Sequence, residues 1–79
     1  MPEIFRFFGF SFFFYSREHE PIHVHVEGAK GYAKFELNNG FFILIESYGL
    51  KANDIERISD VVKDNTDIII KHWKKYFNQ

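Results

Sequence analysis

Ile22-His23-Val24-His25-Val26-Glu27 alternates apolar and polar residues without a break, and that alternation decides the fold. Successive side chains of a strand point to opposite faces, so Ile22, Val24 and Val26 share one face while His23, His25 and Glu27 share the other. Residues 28–31 (Gly-Ala-Lys-Gly) offer glycines for the positive-φ positions of a hairpin turn, and residues 32–37 alternate again. An antiparallel register then joins Ala33, Phe35 and Leu37 to the valines in a core. It sets Tyr32, Lys34 and Glu36 beside the histidines on a polar face.

Working outward, residues 4–8 and 10–15 read as two aromatic strands divided by Gly9. In the second, Phe10, Phe12 and Phe14 oppose Phe13 and Tyr15, so both faces are apolar and the strand belongs in the centre of a sheet or under cover on both sides. Residues 16–21 (Ser-Arg-Glu-His-Glu-Pro) are polar, end in proline and predict a loop. On the other side, Asn38-Asn39-Gly40 is a turn tripeptide, and residues 41–46 form a continuous apolar strand.

From Leu50 the period changes to that of a helix, with Ile55, Ile58, Val61 and Val62 on one face, Asn53 as N-cap and Glu56 completing a capping box. The helix is expected to end near Asp64. Asn65-Thr66 reads as a C-cap followed by a new N-cap, and Ile69, Ile70, Trp73, Tyr76 and Phe77 form a second helical face. The fold class expected is α+β, an antiparallel meander of about five strands followed by two C-terminal helices packed on one sheet face. Trp73, in phase with that apolar face, reads as core.

The chain has 79 residues, close to half of the roughly 150 typical of one domain, so residues 1–79 are expected to form a single domain. Its 46% hydrophobic and 20% aromatic content excludes disorder and fills the core of a small unit with large rings. Without cysteine, neither disulfides nor a thiolate zinc site can form, and the chain suits a reducing compartment, with the cytoplasm as the expected location. The net charge of -1 supplies no positive field, which argues against DNA as a partner. The apolar run 7–15 is too short for a membrane-spanning helix. Glu3 ahead of it and the polar residues after it argue against a signal peptide.

The run from Tyr15 to Glu27, with His19, Glu20-Pro21 and His23-Val24-His25-Val26-Glu27, followed by Ala33-Lys34-Phe35 and by Trp73 in Lys71-His72-Trp73-Lys74-Lys75-Tyr76-Phe77, resembles a small bacterial family, the domain of unknown function DUF4160. The Glu-Pro-x-His-x-His-x-Glu core is its specific part, and the resemblance covers nearly the whole chain in order. This chain departs from the family pattern at Ile22, where members often carry a second proline, and at Glu36, where an aromatic is frequent. The resemblance implies a context and no chemistry: many members lie beside another small domain of unknown function, in pairs regarded as toxin–antitoxin modules.

Two chemical readings attach to the histidines. Residues two apart on a strand project from one face about 6.5 to 7 Å apart at Cα, so His23 and His25 can share a divalent metal such as zinc. His19, Glu18, Glu20 or Glu27 would then supply the third ligand. Alternatively, one neutral and one protonated imidazole act as base and acid in RNA cleavage, with Lys34 stabilising the phosphate. Glu18, Glu20, Glu27 and Glu36 oppose that reading by repelling the RNA backbone. Against both stands the plainer interpretation of an alternating polar face. Lys71, Lys74, Lys75 and His72 read as charge complementing a helix C-terminus. The sheet is apolar on both faces with helices enough for one, so the leading expectation is an interaction domain that binds a second copy or a small cognate protein. The competing expectation is a His-centred enzyme.

Overall fold

Tight turns and alternating strands build a five-stranded meander. The structure, a computed structural model, describes residues 3–15 and 21–77. The strands are β1 (Glu3–Phe7), β2 (Phe10–Phe13), β3 (His23–Glu27), β4 (Tyr32–Asn38) and β5 (Phe41–Tyr48), each antiparallel to the next in the order β1-β2-β3-β4-β5. Two connections are two-residue turns with positive φ at both central positions: Phe8 and Gly9 at 54° and 79°, and Asn39 and Gly40 at 53° and 86°. That geometry matches the right-handed twist of paired strands. Asn-Gly is suited to it, whereas a phenylalanine in the left-handed region costs about 1–2 kcal/mol.

The Gly-Ala-Lys-Gly connection works differently from the expectation. Neither Gly28 nor Gly31 has positive φ. They are small because the chain is crowded there: a Cβ on Gly28 would stand 2.6 Å from the Phe10 ring, and one on Gly31 would run into the Tyr48 carbonyl. The Gly28 N–H donates to the Gly31 carbonyl at 3.0 Å and closes the turn.

The β3–β4 register pairs His23 with Glu36, Val24 with Phe35, His25 with Lys34, Val26 with Ala33 and Glu27 with Tyr32, with the shared faces that the alternation requires. Val24, Val26, Ala33, Phe35, Phe12 and Phe14 form the core with Ile58, Val61, Val62, Ile69 and Trp73 of the helices. Each valine, isoleucine and phenylalanine among them contributes roughly 1.5–3 kcal/mol by leaving water.

The helices are α1 (Ala52–Asp64) and α2 (Thr66–Tyr76). α1 begins ahead of the expected Asn53 cap. Lys51 is the N-cap, and its N–H donates to the Asp54 carboxylate at 3.3 Å, so Asn53 sits inside the first turn. At the junction Asn65 ends α1 and opens α2 at once. Its Nδ2 donates to the Val61 carbonyl at 2.8 Å, and the Thr66 hydroxyl donates to the Val62 and Lys63 carbonyls at 3.1 and 3.0 Å. Thr66 thus closes the helix behind it instead of capping the one ahead, because the last carbonyls of α1 have no intrahelical partner. Among the described residues no helix is long and apolar enough to cross a membrane.

Candidate functional site: a buried histidine pair and an open sheet edge

The two imidazoles project together, as the alternation of β3 demands. Their ring centroids lie 5.2 Å apart at an interplanar angle of 83°. The polar face expected around them is, however, no solvent face: His23 is 8% exposed and His25 4%. Rings contribute to this burial. Phe13, the β2 residue opposite His25, stacks on it at 5.5 Å, and Tyr15 meets it edge-on at 4.4 Å. Trp73 of α2 packs against His23 at 5.4 Å. The aromatic excess therefore fills the core and also covers the second sheet face at β2 and β3.

Each ring is also fixed by a hydrogen bond. His23 Nδ1 lies 2.8 Å from the Pro21 carbonyl, which only accepts, so Nδ1 carries the proton and donates. Nε2 is then the nitrogen through which a neutral His23 would accept or ligate. His25 Nδ1 lies 2.7 Å from the Tyr32 hydroxyl, which can play either part.

The other candidates are distributed unevenly. Lys34 stands directly across from His25, with Glu46 on its other side. Glu36 stands across from His23, and exposed Glu27 lies at the far end of β3, opposite Ser11 and Tyr32. His19, Glu18 and Glu20 lie outside the described residues. Among the described residues no three His, Cys, Asp or Glu side chains are gathered to hold a metal, so Glu27 does not complete a set with the two histidines. Two neighbouring imidazoles, with Lys34 opposite His25 in the strand register, retain the elements of an acid–base pair. A general base must still approach the proton it takes to about 2.6–3.2 Å, and rings so enclosed offer a substrate only a narrow approach.

A second feature lies at the margin of the sheet. On β5, Phe42 and Leu44 turn toward the helices, while Phe41, Ile43, Ile45 and Tyr48 are 69%, 46%, 50% and 68% exposed. A bulge causes part of this: Lys34 opposes Glu46 and Phe35 opposes Leu44, leaving Ile45 without a cross-strand residue. The continuous apolar run of β5 reads in sequence as a buried strand. Its exposure follows from its place as the last strand of the meander, with the chain leaving for the helices. β1, the opposite edge, is polar on its open face: Arg6 pairs with Glu3 at 2.9 Å, and the Ser11 hydroxyl donates to the same carboxylate at 2.6 Å.

The basic cluster lies on the outer side of α2, where Lys71, His72, Lys74 and Lys75 are exposed. Lys74 and Lys75 occupy the last turn, where positive charge complements the helix dipole.

Residues 9–74 match the family model described as Domain of unknown function (DUF4160). The matched segment runs from the first turn through β5 and α1 into α2, leaving β1 outside it. No curated protein and no solved structure matches the chain. The chain belongs to the DUF4160 family.

Proposed function

We propose that this DUF4160 member is a protein-interaction module, one half of a two-gene module of toxin–antitoxin type, and that it engages protein partners by strand addition along β5. One observation carries the reading: an eight-residue outer strand without proline that leaves four large apolar side chains in water. Such an edge presents unpaired backbone donors and acceptors together with apolar surface, which is what strand-adding partners use. The histidines take a structural part in this account, locked among rings that stiffen the centre of the sheet. Recognition is assigned to the outer strand. A cytoplasmic setting fits a chain with no cysteine.

Light scattering of the purified chain, alone and mixed with the product of the adjacent gene, tests the proposal. Association that is lost when Ile43 is replaced by Lys supports it. A chain that remains monomeric and indifferent to that product removes its support.

The competing reading, a His-centred metal or ribonuclease site, draws on one arrangement: Lys34 across from His25, with His23 in ring contact. It is tested by zinc titration and by cleavage of labelled RNA, each compared with the His23→Ala/His25→Ala variant. Zinc binding or cleavage that disappears in that variant would favour the enzyme.

A further inference from the structure

The two edges of the sheet are built differently. β1 carries the Glu3–Arg6 ion pair and breaks its register with an irregularity between Glu3 and Phe5, devices that discourage another chain from adding to a sheet. β5 has no such protection over residues 41–44, and its bulge comes only at Ile45. Phe41, Phe42, Ile43 and Leu44 pair regularly with Asn38, Leu37, Glu36 and Phe35, and the first charge, Glu46, comes only after the bulge.

We propose that the occupant of this edge is a second copy of the chain, added antiparallel to β5 about a twofold axis through Ile43, so that two meanders form one continuous sheet. The inference rests on the interaction reading above and specifies its partner. Directly opposed residues in an antiparallel pair point to the same face, and a twofold interface must be complementary to itself. Phe41, Ile43 and Ile45 lie on the open face, Phe42 and Leu44 on the helix face. An axis through Ile43 sets Ile43 opposite Ile43, Phe42 opposite Leu44 and Phe41 opposite Ile45, so every pair is apolar and every pair agrees in face.

Neighbouring registers do worse. An axis through Leu44 sets Phe42, on the helix face, against Glu46, on the open face, and pairing stops after three residues. An axis through Phe42 leaves only Phe41, Phe42 and Ile43 to pair before Gly40 opposes Leu44. Charge agrees as well. With the axis on Ile43, the one charged residue of β5 falls opposite Gly40 of the copy, so no like charges meet, and Lys34 already neighbours Glu46 within its own sheet.

The chain has no cysteine, so introduced thiols report the register directly. Opposed residues in such a ladder stand about 4.5–5.5 Å apart at Cα, within reach of a disulfide. The Ile43→Cys variant is therefore expected to form a covalent dimer under mild glutathione oxidation. Phe41→Cys is expected to cross-link at least tenfold less, because its two copies lie four residues apart along the ladder, about 13 Å. Pairing the sites in Phe41→Cys/Ile45→Cys is expected to restore the dimer. Sedimentation equilibrium of the unsubstituted chain is expected to show dimers, weakened at least tenfold by Ile43→Lys, with far-UV circular dichroism confirming that the variant folds.

Equal cross-linking of Ile43→Cys and Phe41→Cys, or an unsubstituted chain that sediments as a monomer at high micromolar concentration, overturns the self-pairing. A monomer that still binds the adjacent gene product, and loses it with Ile43→Lys, overturns self-pairing alone. A monomer that binds nothing overturns the interaction reading too.

Discussion

His25 Nδ1 and the Tyr32 hydroxyl meet at 2.7 Å, tying the second sheet face across β3 and β4 beneath the Tyr15 ring. The bond satisfies a nitrogen on a ring that is almost wholly buried. Replacing Tyr32 by Phe keeps the ring and removes the hydroxyl, leaving His25 Nδ1 without this partner. The expected cost is about 1–2 kcal/mol, read as a lower urea midpoint at unchanged slope. A Tyr32→Phe protein as stable as the parent would show that the contact contributes nothing.

The Phe8–Gly9 turn makes an expectation of opposite sign. Phe8 sits at φ 54°, a region that asparagine tolerates far better, and the residue is 62% exposed, its ring beneath the Arg57 guanidinium at 4.9 Å. Phe8→Asn relieves a backbone cost of about 1–2 kcal/mol and gives up a cation–π contact worth about 0.5–1 kcal/mol at an exposed site. A net gain of about 0.5–1 kcal/mol in unfolding free energy is expected. Destabilisation in the same measurement would show that the ring matters more than its backbone.

The helix junction depends on two side chains. Asn65 and Thr66 donate to the Val61, Val62 and Lys63 carbonyls at the end of α1. Asn65→Ala and Thr66→Ala are each expected to cost about 1 kcal/mol. Because the two share one helix end, the double variant is expected to depart from the sum in a double-mutant cycle. Strict additivity would mean that the two sites act independently.

Trp73 is the only tryptophan and has no exposed surface, packed between Phe14 at 5.2 Å, Phe77 at 4.4 Å and His23 at 5.4 Å. Its emission is expected to be blue-shifted in the folded chain, poorly quenched by acrylamide, and to move red on unfolding. Trp73→Ala is expected to cost about 3–5 kcal/mol. A domain of this size holds only about 4–12 kcal/mol in total, so that variant should be near the edge of folding at room temperature. Red emission from the native protein would contradict this placement.

The alternation of residues 22–27 and 32–37 specified which side chains of β3 and β4 share a face, because a slip by one would send Val24 and Val26 into water; the residue-by-residue pairing was set by the Gly28–Gly31 turn. Asn39-Gly40 and the helical period after Leu50 were equally plain, since turn geometry and burial of an apolar stripe are local properties. The burial of His23 and His25 was not legible. It depends on Phe13, Tyr15 and Trp73 arriving from other elements, and no local pattern in β3 records that. Likewise the bulge at Ile45 and the exposure of β5 depend on which strand ends the sheet. Composition pointed to a second apolar face in need of cover; the coordinates locate its open part on β5 and not around the histidines.

The most direct test is hydrogen–deuterium exchange of the chain across a range of concentrations and with the adjacent gene product added. The expected result is protection that grows with concentration or partner over residues 41–48, with β1 unchanged. Exchange over residues 41–48 that is the same when dilute, concentrated or mixed with that product, or protection gained on β1 instead, would contradict the assignment of β5 as the interaction surface.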